Sequence, residues 1–330
     1  MLLKMWVHPE EFQERRPQVD EILSKYPEDI QVLSLNMPGV FDAPSDDPDY
    51  RWVNRSDPYV GKNVPFDERV AIRDWGELDE ILAHFPDPNY PGLTVNLKED
   101  APLNGRYRAC HWWYCLFERH WDLRGMTNAL VDYYDHPREV HRLFRALTDF
   151  YMAIMERSRK ELGANAIITS DDIGTQGNTF FSMKIFKEFY KPYYQELVEK
   201  AHSLDMHFWL HTCGNIEPFL PEFIDIGLDV IHPIQKFAMD QVQIARKFGG
   251  SITFWVGLDV QQVIPWGTPQ EVRREVHNLM DAFWRQGEGR LIFSAGNGIN
   301  GDCTLDSLDA LFDEALKYGR HKALQTEGQN

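Results

Sequence analysis

The stretch AIITSDDIGTQGNTFFSMKIFKEFYKPYYQELVEKAHSLDMHFWLHTC, residues 166–213, contains the repeating unit from which the fold is predicted. It begins with a short β-rich run at 166–169, continues with helical periodicity over 182–203 and returns to a β-rich run at 208–210. Strands that are separated by a helix at this spacing pair in parallel. The stretch therefore predicts one βαβ unit of an α/β protein.

The same alternation continues along the chain from residue 105. Further β-rich runs are expected at 106–110, 229–231, 252–256 and 291–293, and further helices at 138–162, 216–226, 269–285 and 305–318. A doubly wound sheet and a (β/α)8 barrel both fit this alternation. Polar residues follow six of the runs, which favours the barrel because the strand ends of a barrel converge on one mouth.

We therefore predict an α/β fold, a (β/α)8 TIM barrel with its main body at 105–330 and an irregular N-terminal extension at 1–104 packed on it. The extension is rich in Pro and Asp clusters that break any periodicity. It contains helix candidates at 10–26 and 74–84, and a run at 30–35 that could supply a seventh strand. No segment is assigned to the eighth strand.

Composition limits the partners and the compartment. The 330 residues include 34 Lys and Arg against 51 Asp and Glu, a net charge of -17, which disfavours nucleic acid and anionic membrane as partners. The four cysteines are too few and too scattered for a disulfide framework, so we expect a reducing cytoplasm. No apolar run approaches the length of a membrane helix.

The sequence His211-Thr212-Cys213-Gly214-Asn215 follows an apolar run at 206–210, which contains the β-rich run at 208–210. Residues two apart on a strand point to the same side, so His211 and Cys213 can present an imidazole and a thiolate to one metal ion. Catalytic zinc usually takes three protein ligands and keeps one position open. A third ligand must come from elsewhere in the chain.

Several further motifs accompany the His-x-Cys pair. They are Leu116-Phe117-Glu118-Arg119 with Leu123-Arg124-Gly125-Met126, Asp171-Asp172-Ile173-Gly174-Thr175-Gln176, the segment from Gly227 to Gln235, and Gly257-Leu258-Asp259. With these motifs the chain resembles the uroporphyrinogen decarboxylase superfamily of (β/α)8 barrels, and within it the corrinoid-dependent methyltransferase branch. The His-x-Cys-Gly-Asn motif discriminates the branch, because true decarboxylases lack it and carry an Arg-rich N-terminal motif that is not found here.

The resemblance implies Zn2+ as cofactor and a corrinoid carried by a partner protein. In zinc methyltransferases of this branch the third ligand is a Cys between two glycines, where this chain has Gly296-Asn297-Gly298. The expected metal ligands are therefore His211, Cys213 and the nearby thiol of Cys303. A carboxylate from Asp171 or Asp172 is the alternative third ligand, and a weakened site is another.

The remaining candidate residues lie at the other strand ends. The catalytic candidates are Asp171, Asp172 and Glu118, and the substrate-contact candidates are His111, Gln176, His232, Gln235, Trp255 and Asn297. Each has a structural alternative. The aspartates could cap a helix or order a loop, Glu118 could interact with a helix dipole, and the tryptophan could be buried in the barrel.

The leading functional hypothesis is the O-demethylase component of a corrinoid system, which moves a methyl group from a small methoxylated aromatic substrate to Co(I) corrinoid. The alternatives are a methylcorrinoid:thiol methyltransferase of the coenzyme M type, a uroporphyrinogen decarboxylase-like enzyme and a non-catalytic corrinoid-binding module. The oligomeric state is open, with a homodimer among the options.

Overall fold

The structure is a computed structural model that describes residues 1–95, 97, 105–285 and 290–327. Its described part contains one sheet of seven parallel strands that pair in chain order. The strands are β1 Ile30–Ser34, β2 Tyr107–Trp112, β3 Ala166–Ser170, β4 His207–His211, β5 Val230–His232, β6 Thr253–Leu258 and β7 Leu291–Ala295. Parallel strands in chain order confirm the barrel-type fold.

Helices cover the outside of the sheet. They are α1 Arg16–Lys25, α2 Leu78–Ala83, α3 Phe117–Arg124, α4 Met126–Asp135, α5 Pro137–Leu162, α6 Lys191–Ser203, α7 Leu220–Asp225, α8 Gln241–Phe248, α9 Val263–Trp266, α10 Pro269–Phe283 and α11 Leu305–Glu327. The helix predicted at 182–203 begins with a short α-helical turn, Met183–Ile185, and a π-helix, Phe186–Tyr190, which lead into α6. The other long helices start close to the predicted positions. No helix was predicted at α4, α8 or α9, and α3 was expected only as the setting of Glu118.

The first residues of the chain lie between β7 and β1, where the eighth strand of a barrel would be. The amide of Leu3 donates to the carbonyl of Phe293 at 3.1 Å, and the amide of Phe293 donates to Met1 at 2.9 Å. On the other side the amide of Asp29, just before β1, donates to Leu2 at 3.2 Å. The N-terminal segment therefore closes the ring that the seven strands leave open.

A buried polar network joins residues 72–75 of the N-terminal region to α3 and α4. Arg124 donates to both carboxylate oxygens of Asp132, at 2.8 and 3.0 Å, and to the carbonyl of Ile72 at 2.6 Å. The indole of Trp75 donates to Asp132 at 2.9 Å. Since buried charges are tolerated only when they are paired and hydrogen-bonded, this network fixes how the extension lies on α3 and α4.

The strand register places the candidate residues at one level of the barrel. His211 at the end of β4 pairs with Ser170 of β3 on one side and with His232 of β5 on the other. His111 of β2 pairs with Ser34 of β1. Because parallel strands in register end at the same height, these side chains meet at the C-terminal mouth, where barrel enzymes carry their chemistry.

Candidate metal centre

Three different ligand atoms converge at the ends of β3 and β4. They belong to Asp172, His211 and Cys213, and they all lie within 4.8 Å of one another. His211 Nε2 is 3.5 Å from Cys213 Sγ and 3.6 Å from Asp172 Oδ1. The Asp172 side chain is 40% exposed whereas that of His211 is 8% exposed, so the cluster is open toward the mouth.

Two glycines explain why the loop after β4 can bring Cys213 beside His211. Gly214 has a φ of +83°, and a Cβ there would lie 2.3 Å from the backbone carbon of Gly174. Only glycine combines this conformation with so close an approach. The loops after β3 and β4 therefore touch backbone to backbone, and the Cys213 amide donates to Asp172 Oδ1 at 2.7 Å.

Asn297 lies beside the thiol of Cys213. Its Nδ2 donates to Cys213 Sγ at 3.5 Å, and its Oδ1 is buried with no hydrogen-bond partner among the described residues. Burial and the charge of Asp172 raise the pKa of Cys213 to about 12, although the Asn297 contact lowers it. Without a cation the sulfur is a thiol, so a bound metal would have to displace its proton.

The imidazole of His211 is hydrogen-bonded to that of a second histidine, His232. Its Nδ1 lies 2.7 Å from Nδ1 of His232, so one of the two nitrogens donates a proton to the other. Burial lowers the pKa of both rings, and the proximity of His211 lowers that of His232 further. When both rings are neutral and Nδ1–H of His211 is the donor to His232, Nε2 of His211 carries no proton and can act as a metal ligand.

Aromatic rings surround this pair. The ring of Trp255 lies 4.0 Å from that of His232, and its Nε1 donates to Ser294 at 2.6 Å. Trp6 stacks on His232 at 5.2 Å and contacts His211 at 5.1 Å. Trp255 thus packs against His232. Trp6 was not predicted as a site residue, because nothing in its local sequence pattern indicates this position.

The two other carboxylates have different surroundings. Asp171 is fully buried and accepts the backbone amides of Leu116, Phe117 and Glu118 at 2.7 to 3.0 Å and the hydroxyl of Tyr194 at 2.5 Å. Its oxygens therefore organise the start of α3, as a capping residue does. Glu118 accepts the hydroxyl of Ser170, and burial together with the charges of Asp172 and Asp171 raises its pKa well above the ordinary value.

The predicted substrate contacts are divided among several positions. Gln235 Oε1 accepts the amide of Gly214 at 2.8 Å, which orders the His-x-Cys loop. Gln176 is exposed and donates to the carbonyl of Phe237. His111 is buried, lies 3.2 Å from the hydroxyl of Ser34 and has a pKa lowered to about 4 by burial.

Cys303 is not part of the cluster. Its thiol is buried and lies 3.1 Å from the carbonyl of Thr304, and the three ligand atoms grouped in the described chain come from other residues. Asn297 of the glycine-rich loop reaches the cluster, but the end of the loop that carries Cys303 does not. Arg15 donates to the carbonyl of Cys303 at 3.1 Å and to that of Gly301, which holds this end against the N-terminal region. Asp172, one of the two carboxylate alternatives, is the third member of the cluster.

A cavity of about 510 Å³ opens beside the centre, between the extension and β2. His111 and Trp113 line it, and the ring of Trp113 lies 5.6 Å from that of His211. Its volume is in the range of small-molecule sites. The candidate metal centre therefore has a ligand-sized space beside it, with the ring of Trp113 between the two.

Comparison with known proteins agrees with the fold and defines the family. The family model described as uroporphyrinogen decarboxylase matches residues 122–318, more than half of the chain. The chain belongs to the uroporphyrinogen decarboxylase family, as its motifs indicate. No curated protein matches the chain.

Solved structures resemble the chain at low sequence identity. A methyltransferase from Methanosarcina mazei superposes with a TM-score of 0.54 and 14% identity over 73% of this chain and 64% of that one. The chain thus spans less than two thirds of that methyltransferase. An L-ribulose 3-epimerase (TM-score 0.43, 11% identity, 80% and 94% coverage) and a mannanase from Bacillus subtilis (0.45, 8%, 96% and 85%) also match. At these identities the likeness concerns the fold alone.

Among the described residues, no helix has both the length and the apolar character that crossing a membrane requires.

Proposed function

We propose that the protein is a zinc-dependent methyltransferase that works with a corrinoid protein, as the component that demethylates a methoxylated aromatic substrate. The observation that carries the proposal is the meeting of Asp172, His211 and Cys213 at the barrel mouth. One carboxylate, one imidazole and one thiol form a donor set that suits zinc, and three protein ligands leave a position open for substrate.

The bound zinc would supply a Lewis acid for the ether oxygen of the substrate. The methyl group would pass to the Co(I) corrinoid of the partner protein, and the aromatic product would leave as a phenolate that takes up a proton. His232 would hold His211 with Nε2 toward the ion. Glu118, buried close to Asp172, is the residue we assign to hold the proton that the departing oxygen takes.

Metal analysis tests the first half of the proposal. Protein purified without chelators should carry about one zinc per chain, and His211→Ala should lose it. His207→Ala is the matched control, because His207 lies at the other end of the same strand and is exposed. A zinc content far below one in the wild type, or an unchanged content in His211→Ala, would contradict the proposed site.

Methyl transfer tests the second half. The zinc-loaded chain is mixed with reduced corrinoid protein and a panel of methoxylated aromatics, and conversion of Co(I) to methyl-Co(III) is followed by absorbance. We expect methylation with at least one substrate and none with His211→Ala. If no substrate methylates cobalt but thiols remove the methyl group from methyl-Co(III), the protein is instead the methylcorrinoid:thiol methyltransferase.

A further inference from the structure

The cavity beside the metal centre contains a guanidinium without a partner. Arg69 lines the cavity and is half-buried, and within the described chain it has no hydrogen bond and no ion pair. Arginine in a partly desolvated site is normally paired, because a guanidinium that has lost water must recover its hydrogen bonds. An unpaired guanidinium that faces a ligand-sized space therefore indicates a missing anion.

A second arginine of the lining is fixed nearby. The guanidinium of Arg119 lies over the rings of Trp52 and Tyr114, at 4.7 and 5.2 Å, and forms a buried ion pair with Asp122. Its Nε is buried without a hydrogen-bond partner among the described residues. Burial raises the pKa of Asp122, and the charges of Arg119 and Arg69 lower it, so both guanidiniums lie near this carboxylate. In the described chain Arg119 is hydrogen-bonded to Asp122 and Arg69 is not.

The other two carboxylates of the lining form no ion pair with Arg69 in the described chain. Asp42 is exposed, so solvent screens it. Asp57 lies on the extension, where its Oδ1 accepts the amide of Tyr59 at 2.7 Å. Both are more accessible than Asp122, which is 5% exposed. The lining has three aspartates and two arginines, and in the described chain none of the three carboxylates is hydrogen-bonded to Arg69.

The rest of the wall suits a planar apolar body. Phe41, Trp113 and Tyr114 line the cavity, and His111, 4% exposed with its Nε2 unpartnered in the described chain, lies on the side of the metal centre. The ring of His111 is 4.3 Å from that of Trp113. Of all the lining residues only Asp122 falls within the matched segment 122–318, so the family match says nothing about what this wall recognises.

We infer that this cavity binds the carboxylate of an aromatic acid through Arg69, with Arg119 beside it, and so selects methoxylated benzoates over neutral methoxylated benzenes. A guanidinium recognises a carboxylate through two parallel hydrogen bonds. The aromatic ring would lie against the aromatic wall. The inference rests on the proposed function for the methoxy group, whereas the carboxylate site stands on the arginines alone.

Calorimetric titration of the zinc-loaded full-length chain tests the inference with para-methoxybenzoate and with methoxybenzene, which lacks the carboxylate. We expect the benzoate to bind at least roughly tenfold more tightly, as hydrogen bonds to a charged group allow. Arg69→Gln should remove this preference without changing zinc content or methoxybenzene binding, and Arg69→Lys should restore part of it. Arg73→Gln, an exposed arginine four positions away, is the control and should bind as wild type does.

Each outcome decides one question. Equal binding of the two probes, or an equal loss of both in Arg69→Gln, would overturn the inference. Binding of mercaptoethanesulfonate in an Arg69-dependent manner, with no binding of the benzoate, would also overturn it, because the site would then serve the sulfonate of a thiol acceptor. If the benzoate binds through Arg69 but no methyl group reaches cobalt, the carboxylate site holds and the proposed function fails.

Discussion

Replacing Asp171 by Ala should unfold the start of α3 rather than only abolish activity. The substitution leaves three backbone amides and the Tyr194 hydroxyl without their acceptor in a fully buried place. Loss of a helix cap costs about 1 to 2 kcal/mol, and buried donors left without acceptors add about 1 to 3 kcal/mol. We therefore expect the free energy of unfolding to fall by about 2 to 5 kcal/mol.

Urea unfolding followed by tryptophan fluorescence measures this loss, with Asp172→Ala as the neighbouring control. Asp172 is 40% exposed and accepts one amide, so its replacement should cost about 1 kcal/mol while removing zinc. The reasoning is refuted if Asp171→Ala stays within about 1 kcal/mol of wild type but loses methyl transfer. Asp171 would then act on the substrate.

The difference in unfolding free energy between wild type and Asp171→Ala should also depend on pH. Burial raises the pKa of Asp171 to about 6, although its hydrogen bonds oppose the shift. A carboxyl whose pKa is higher in the folded than in the unfolded protein binds its proton more readily when folded, so its contribution to stability decreases as pH rises through that interval. The stability gap between wild type and Asp171→Ala should therefore be larger near pH 4 than at pH 7.

Three further predictions concern the loop, the buried network and the metal. Gly214→Ala should lower the free energy of unfolding by at least about 3 kcal/mol and abolish zinc binding, because the added Cβ would clash with Gly174. Gly61 has a φ of +72° but open space around it, so Gly61→Ala should lower the free energy by only about 1 kcal/mol in thermal unfolding. Asp132→Asn should lower the free energy of unfolding by about 3 kcal/mol at pH 7, because it breaks the buried ion pair with Arg124. Although burial raises the pKa of Asp132, its hydrogen bonds lower the pKa below the ordinary value. The stabilisation from this carboxylate is therefore present above about pH 4 and is lost as pH falls. In urea unfolding, the free energy of unfolding of the variant should accordingly decrease less than that of the wild type as pH is lowered. Competition with a chelator should show zinc affinity rising about tenfold per pH unit between pH 7 and 9, since binding displaces about one proton, from Cys213; an affinity independent of pH would exclude the thiolate as a ligand.

The barrel could be predicted because its signals are local. A buried strand and a following amphipathic helix each leave a pattern within the sequence, and 166–213 contains both. Closure by Met1, Leu2 and Leu3 could not be predicted, because three residues that hydrogen-bond to β7 and to the residue before β1 have no periodicity of their own. The helices α4 and α8 were missed because short helices leave few turns from which to read a face.

The candidate site was partly predictable for the same reason. His211 and Cys213 lie two residues apart, so strand geometry alone brings them together. The third position depends on contact between two loops: Asp172 enters through the approach of Gly174 to Gly214, and the nearby sequence position of Cys303 is irrelevant to it. Arg69 shows no pattern at all, because only the folded extension brings it to the cavity.

The most direct test of the metal centre is X-ray absorption spectroscopy of the zinc-loaded protein. We expect one sulfur ligand at about 2.3 Å and the remaining ligands to be nitrogen or oxygen at about 2.0 to 2.2 Å, with the sulfur lost in Cys213→Ser and kept in Cys303→Ser. Two sulfur ligands, one of which disappears in Cys303→Ser, would contradict the centre formed by Asp172, His211 and Cys213.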